Sequence, residues 1–306
     1  MGERTIRSGK QEALVEATML PDLAISRLWT CLTEPGPSCT GSTSGRVLPW
    51  RPGHGFGVGP LPRERAVRLL EEQLERIRGG GGGVEGAHLR MGRPAEETTA
   101  LAGELDAERV VVGSRGTGAA QRLVTGSVSE EVARNAPCPT LVLRGGEDSW
   151  SPQAVVVGDD LSNEAERAGY VGARIRGLLD ASGLLVRAFP SQAAFGHAAA
   201  SRASGRIMGE SGELLRRRAI RLEDSLGKRP AIRVAGGDAA AVIRTALGES
   251  GKPALVAVDS RGLDAVGRLV SPSVSTSVLR AASGPVLIYP SAAKNRETHR
   301  SRSVVR

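Results

Sequence analysis

The chain has 306 residues, enough for two domains of about 100–200 residues each, and its 41 basic and 33 acidic side chains give a formal charge of +8. Hydrophobic residues make up 40% of the chain and 40 glycines add to them, which excludes a wholly disordered protein. With only three Trp, two Tyr and three Phe, the core must consist of Val, Leu, Ile and Ala, a mixture typical of buried parallel strands covered by helices. An α/β fold is therefore expected.

In the first half of the chain, the apolar pattern becomes regular only after Pro62. Before it, the stretch 33–60 is rich in Gly, Pro and Ser and predicts a loop or disorder. The predicted elements are then a helix over 63–78, a strand over 84–91, a helix over 92–105, a strand over 109–112, a helix from Ser127 and a strand over 140–143.

The second half shows five apolar runs that alternate with helical patterns. Strands are predicted over 154–160, 183–189, 231–235, 255–258 and 286–289, and helices over 162–181, 206–227, 239–249 and from Ser273. This alternation predicts a doubly wound parallel sheet with helices on its faces.

The two halves are copies of one unit. Residues 109–144 recur as 255–290, displaced by 146 positions without a gap, and 17 of the 36 positions are identical. The predicted domains are 1–146, of which 1–60 is irregular or degraded, and 152–291, followed by a basic disordered tail over 292–306. We expect the halves to pair within one chain or through a homodimer.

In the first copy, a β-branched strand leads into a glycine-rich turn and then a helix. The segment GSRGTGAAQRLVTGSVS (113–129) resembles the nucleotide-loop signature of the universal stress proteins: Gly, two residues, Gly, nine residues, then Gly-Ser. The resemblance covers about 63–144 and 154–290. It implies a Rossmann-like α/β fold, often a dimer through the last strand, in bacterial cytoplasm and linked to stress survival; some members bind ATP and others do not.

The resemblance implies a site for an adenine nucleotide, ATP with Mg²⁺, whose residues would be Gly113, Ser114, Arg115, Gly116, Gly126, Ser127, Val128 and Ser129. Glycines let phosphate approach the backbone, and a helix start offers free N–H groups. Simpler roles remain open for these residues. Gly113 and Gly116 could serve only the turn, Ser127 and Ser129 could cap the helix, and Arg115 and Arg122 could be solvated.

The second copy departs from this signature at two positions. Pro272 replaces Gly126 and offers no N–H to an anion. Asp259 replaces Gly113, and its charge about 4 Å from a phosphate would cost on the order of 1 to 4 kcal/mol. We therefore predict that the second half does not bind ATP in the manner of the family.

In the family, an acid at the end of the first strand helps to hold adenosine. The second half offers Asp160, with Asp159 as a near alternative, and Ser162 is the expected helix cap. In the first half, the 146-residue displacement leads to 8–14, which shows no strand-like run, so its first strand and acid are predicted to be missing. Our hypothesis is that 1–60 reflects a wrong start, a shifted reading frame or decay.

The remaining chemistry-bearing residues are isolated. His88 and His197 have no partner nearby in sequence, and Cys138 between two prolines is most simply a small buried hydrophobe. Three cysteines without a CxxC pair, the absence of an apolar membrane-length run and a charged N-terminus predict a cytoplasmic protein. The basic residues are not interleaved with aromatics, so no nucleic-acid partner is expected.

The sequence favours a nucleotide-binding regulatory module over two alternatives. One alternative is a scaffold or interaction module that binds no nucleotide, which Pro272, Asp259 and the missing strand support. The other is an ATP-hydrolysing enzyme; it is disfavoured because 113–129 contains no acidic residue or histidine, although weak ATPase activity stays open.

Overall fold

A computed structural model of the chain describes thirteen segments: 13–15, 43–45, 63–79, 87–90, 92–105, 107–113, 127–144, 152–179, 182–189, 197–226, 228–251, 253–260 and 274–291. The strands in these segments are β1 (Ala13–Val15), β2 (Thr43–Gly45), β3 (Arg109–Gly113), β4 (Thr140–Leu143), β5 (Ala154–Gly158), β6 (Ser182–Phe189), β7 (Ala231–Gly236), β8 (Ala254–Asp259) and β9 (Val286–Tyr289). The helices are α1 (Arg63–Gly79), α2 (Pro94–Glu104), α3 (Ser127–Asn135), α4 (Asn163–Leu179), α5 (His197–Leu226), α6 (Ala239–Ser250) and α7 (Val274–Ala281).

The strands form one nine-stranded sheet in the order β2-β1-β3-β4-β9-β8-β5-β6-β7. Neighbouring strands are parallel except β4 and β9, which pair antiparallel. Within the second half the strand order is third, second, first, fourth and fifth, which is a doubly wound arrangement. The α/β class and the tandem organisation predicted from the sequence are confirmed.

The antiparallel pair joins the two halves about a pseudo-twofold axis. Leu141 of β4 faces Leu287 of β9, and these residues occupy the same position of the 146-residue repeat. Both leucines are 1% exposed. Because β4 and β9 run in opposite directions, the carboxyl ends of the strands in the first half and those in the second half lie at opposite ends of the sheet.

Helices cover both faces of the sheet, as its near-continuous apolar strands require. On one face, Val110, Val156 and Val256 pack with residues of α2, α3, α6 and α7. On the other face, Val111, Val155 and Leu255 pack with residues of α4 and α5. Among the helices within the described segments, none is long and apolar enough to cross a bilayer.

Most of the predicted elements after residue 60 are confirmed to within two residues. Helix α5 is a partial exception, because it begins at His197, nine residues before the predicted start. Its first turns are mostly Ala, Ser and Gly and lack the apolar periodicity that marks an amphipathic helix.

The expectation that the first half lacks its first strand is wrong. Strand β1 pairs parallel with β3, and Ala13 faces Arg109 as Val155 faces Leu255 in the second half. Strand β2 then pairs with β1, inside the stretch 33–60 predicted as loop. Three residues per strand are too few to produce the alternation or apolar run by which strands are predicted.

The strand predicted over 84–91 is also corrected. Within the described residues 87–90, only Ala87 makes an isolated bridge. The matching stretch of the second half forms β7, which lies at the outer edge of the sheet. An edge strand has a single neighbour to hold it, so its apolar pattern is a weaker indication than that of a central strand.

Candidate functional site

The candidate site lies where β3 ends and α3 begins. Gly113 is the last residue of β3, and Ser127 is the first residue of α3. The predicted residues Ser114, Arg115, Gly116 and Gly126 fall between them, outside the described residues. The structure therefore describes the two ends of the loop, which are the carboxyl end of β3 and the N-terminus of α3, both at the carboxyl edge of the sheet.

Gly113 is well placed to border a ligand. It is half-buried and lies opposite Leu143 of the neighbouring parallel strand β4. With no Cβ, it leaves the backbone at the carboxyl end of β3 open to close approach. In doubly wound sheets, ligands bind outside the carboxyl ends of the strands, which is where Gly113 lies.

In the first turn of α3, the described residues Val128 and Ser129 offer a ligand their backbone groups rather than their side chains. Ser129 is 2% exposed, and Val128 is half-buried against the hydrophobic core. The matching Ser275 of the second half is also 2% exposed, so this buried serine is a feature of both copies. A ligand at this helix start would therefore contact the N–H groups of the first turn, which have no partner within the helix.

Glu130 adds an acidic side chain to the first turn of α3, where it would oppose an anion. Its charge is offset by two arginines. Arg280 of the second half donates two hydrogen bonds to its carboxylate, at 3.1 and 2.9 Å, and Arg134 donates one at 3.3 Å. The helix start thus keeps its positive end available to a ligand.

The corresponding position in the second half is chemically different. Asp259 ends β8 where Gly113 ends β3, opposite Tyr289 of β9. The next residue, Ser260, is 3% exposed, and its backbone N–H donates to the carbonyl of Tyr289 at 2.9 Å. Its hydroxyl accepts the N–H of Ser291 at 3.0 Å. The counterpart of Ser114 is therefore occupied in holding the chain after β9.

The two acids that follow β5 take separate structural roles. Asp159 is buried, and one of its oxygens accepts the N–H of Leu161 at 2.7 Å. Asp160 is exposed and accepts the N–H of Ser162 at 3.0 Å. The hydroxyl of Ser162 accepts the N–H of Ala165 at 3.0 Å, which confirms that Ser162 caps α4.

Arg218 of α5 holds Asp159 in a buried ion pair that the sequence analysis missed. The Arg218 and Asp159 side chains are only 8% and 2% exposed, and a second guanidinium nitrogen of Arg218 donates to the carbonyl of Ser162 at 2.8 Å. Nearby, Arg187 donates to the Ser211 hydroxyl at 3.1 Å. Burial lowers the pKa of Arg187, and the Asp159 charge opposes that shift.

The signal for this ion pair is present in the sequence, but only its existence can be read there. Arg218 lies among Leu215, Ala219 and Leu222 on the apolar face of α5, where an arginine needs a buried acid as its partner. Its partner is 59 residues away, and nothing local selects Asp159 over the neighbouring acids. Cys138 is 3% exposed within the core, as predicted.

Comparison with known proteins identifies the class of protein to which this chain belongs. The universal stress protein family model matches residues 48–144 and 152–290. A universal stress protein of Thermus aquaticus is 37% identical over 86 residues, which are 26% of this chain and 63% of that protein. A putative universal stress protein of Staphylococcus saprophyticus is 40% identical over 55 residues, 17% of this chain and 33% of that protein.

Solved structures agree over a larger part of the chain. A universal stress protein from Archaeoglobus fulgidus superimposes with a TM-score of 0.60 at 16% identity, covering 92% of this chain and 99% of that one. A universal stress protein in complex with cAMP matches 46% of this chain and 98% of its own, with a TM-score of 0.37 and 24% identity. The chain belongs to the universal stress protein family and carries two copies of its domain.

Proposed function

We propose that this protein is a nucleotide-responsive regulatory module of the cytoplasm that binds ATP with Mg²⁺ in its first half only. The observation that carries the proposal is the difference between two matched strand ends. Gly113 ends β3 with no side chain, whereas Asp259 ends β8 with a carboxylate. The first half can thus admit a phosphate where the second half repels one.

The strand end and helix start of the first half have three features that suit a phosphate, one of which involves an arginine of the second half. Gly113 permits close approach, the first turn of α3 presents N–H groups, and Arg134 and Arg280 offset the Glu130 charge. Gly126 and Ser127 would complete the cradle with backbone N–H groups. Mg²⁺ would arrive with the nucleotide and offset the charge of its phosphates.

The second half serves as a packing partner. Besides Asp259, both acids after its first strand already have structural contacts: Asp160, the candidate for an adenosine contact, accepts the N–H of Ser162, and its near alternative Asp159 is held by Arg218 and by the N–H of Leu161. An adenosine contact through Asp159 would require breaking the buried ion pair. These differences support one nucleotide per chain.

Regulation by binding, rather than catalysis, fits the residues of the loop. Phosphoryl transfer needs a placed base or water-positioning group near the phosphates. The segment 113–129 holds no acidic side chain or histidine. We expect the bound nucleotide to persist, with no multiple-turnover release of phosphate.

Isothermal titration with ATP and Mg²⁺ tests the proposal. Wild-type protein should bind one nucleotide per chain, and Gly126→Pro, which copies Pro272, should abolish binding by removing an N–H and fixing φ. The matched control is Pro272→Gly, which makes the reverse change in the second half and should leave affinity and stoichiometry unchanged. Two nucleotides per chain, or full binding by Gly126→Pro, would contradict the proposal.

The second candidate is a scaffold that binds no nucleotide. The structural use of the Ser260 hydroxyl and the burial of both Ser129 and Ser275 favour it, because these serines of the signature have roles without a ligand. Absence of binding at millimolar ATP selects this function.

A further inference from the structure

Helix α5 has a surface that the nucleotide site does not use. Its 30 residues correspond to a length of about 45 Å. Among the residues of α5 whose burial is described, the buried ones run from Ser211 through Leu215 to Leu222, whereas every residue from Gly205 to Glu210 is exposed. The helix therefore continues beyond the part that packs on the sheet.

This exposed part has a composition that disfavours an unsupported helix. Gly205 and Gly209 have no atom within 4 Å of the position a Cβ would take. Each glycine costs a helix about 1 kcal/mol relative to alanine, and helices without tertiary packing are marginal in water. Because this part of α5 is helical despite its composition, we expect another surface to pack against it.

Apolar side chains are concentrated on the same helix. Ile207, Met208, Leu214 and Ile220 are between 39% and 47% exposed, and they are four of the six large hydrophobic residues that are exposed among the described residues. Ile207 and Leu214 lie on nearly the same face because they are seven residues apart, whereas Met208 and Ile220 lie on other sides of the helix. Single exposed hydrophobic residues are common, but two on one face of one helix indicate an interaction surface. Leu214 also borders an open depression of about 530 Å³ together with Gly209, Glu210, Glu213 and Arg217.

The charged side chains beside Leu214 form a pattern that is complementary to the same pattern on a second, antiparallel copy of the helix. Glu210 accepts a hydrogen bond from Arg206 at 2.7 Å, and Glu213 accepts one from Arg217 at 3.2 Å, so two acidic side chains lie between two basic ones along the helix. Positions 210, 214 and 217 lie on one face because they are four and three residues apart. A second, antiparallel α5 related by a twofold axis midway between 210 and 217 would place each Glu210 opposite Arg217 of the partner subunit.

We propose that two copies of this chain associate through antiparallel α5 helices, with the two Leu214 side chains beside the axis and two Glu210–Arg217 pairs around them. Each copy presents the same patch, as twofold dimers require. The presence of both acidic and basic charges on this face selects a second copy over an anionic membrane, since a membrane-bound helix would carry a uniformly basic polar face. The surface is separate from the β4–β9 join, which is used within the chain.

Sedimentation of the full-length protein over a concentration series tests the proposal by charge exchange. Arg217→Glu and Glu210→Arg each place like charges opposite one another twice and should weaken the dimer about tenfold or more. The double variant Glu210→Arg with Arg217→Glu restores opposite pairs and should recover the dimer. A monomeric wild type, or a double variant no stronger than either single one, overturns the proposal.

The matched control is Arg216→Glu. Arg216 also pairs with Glu213 and is 63% exposed against 65% for Arg217, but it lies about 100° away around the helix. It should leave the dimer unchanged, and an effect equal to that of Arg217→Glu overturns the proposal. Leu214→Ser should weaken the dimer, while Val274→Ser, at a similarly exposed residue of α7, should not. Circular dichroism melting checks that each variant folds.

Discussion

The absence of a side chain at Gly113 distinguishes the first copy of the repeat from the second, which has Asp259 at the same position. We predict that Gly113→Asp, which copies Asp259, weakens ATP binding between about fivefold and about a thousandfold, the range that a Coulomb cost of about 1 to 4 kcal/mol gives. Isothermal titration measures the change. Gly103→Asp introduces the same charge at an exposed helical glycine with no neighbour within 4 Å and should leave affinity unchanged. Equal effects of both variants would remove the role of Gly113.

Arg218 affects stability rather than ligand binding, because its removal would leave the charge of Asp159 buried inside the protein. We predict that Arg218→Ala lowers the free energy of unfolding by about 3 kcal/mol, since Asp159 is then buried without its main partner. Urea unfolding measures the loss.

The neighbouring Arg217→Ala provides the control for that measurement. Arg217 is 65% exposed and pairs with Glu213 at the surface, so its loss should change stability by no more than about 0.5 kcal/mol. If both variants lose the same stability, the buried pair does not hold α5 on the sheet.

For single residues, the sequence predicts what a side chain does better than it predicts which distant residue the side chain contacts. The substitutions Pro272 and Asp259 are visible as soon as the repeat is aligned, and Ser162 can be identified as a cap from its position before a helix. The pairing of Asp159 with Arg218 cannot be read in the same way, because it depends on how β5 and α5 meet in space. Local patterns do not contain that distance.

Among the elements, α3 and α7 form a contact between the halves that is one-sided. Arg280 of α7 binds Glu130 of α3, and Arg144 after β4 donates to the carbonyls of Leu279 and Ala282, the latter at 2.6 Å. The repeat places Thr276 at the position of Glu130 and Pro290 at that of Arg144, neither of which can make the reciprocal contact. Among the described residues, the two halves therefore contribute different polar groups to the contact that joins them.

We predict that Glu130→Thr, which copies Thr276, lowers the free energy of unfolding by about 1 kcal/mol in dilute salt and by less at high salt. Glu130 is 13% exposed but Arg280 is 58% exposed, so solvent screens much of the interaction. Urea unfolding at two salt concentrations measures both effects. Glu131→Thr, at an acid with a 3.8 Å contact to Arg93, should cost less; a larger cost there would contradict the assignment.

The elements that the sequence predicts are those with strong patterns. The buried runs of β5, β8 and β9 and the periodic part of α5 follow from composition, whereas Ala13–Val15 is too short to be recognised. Strand β1 is identified by its pairing with β3, and that contact joins residues nearly a hundred positions apart. Short strands are thus specified by their neighbours in the sheet more than by their own residues.

At the scale of the whole molecule, the repeat predicts two similar units that can pair with each other. Equivalent leucines of β4 and β9 lie opposite each other, and this pairing joins the two units into one continuous sheet. The sequence left open whether the copies meet within a chain or between chains, because both choices use the same residues; the structure makes the contact within the chain. What the repeat cannot predict is the surface of α5, because its counterpart α1 carries Arg68 and Glu71 where α5 carries Leu214 and Arg217.

Reversal of strand direction at the β4–β9 boundary has a consequence for signalling. A nucleotide bound beside Gly113 would lie at one end of the sheet, whereas Asp259 lies at the opposite end, and the length of the strands separates them. One small molecule could not contact both positions. An effect of nucleotide binding on the second half would therefore have to pass through the packed strands between them, which include Leu141 and Leu287.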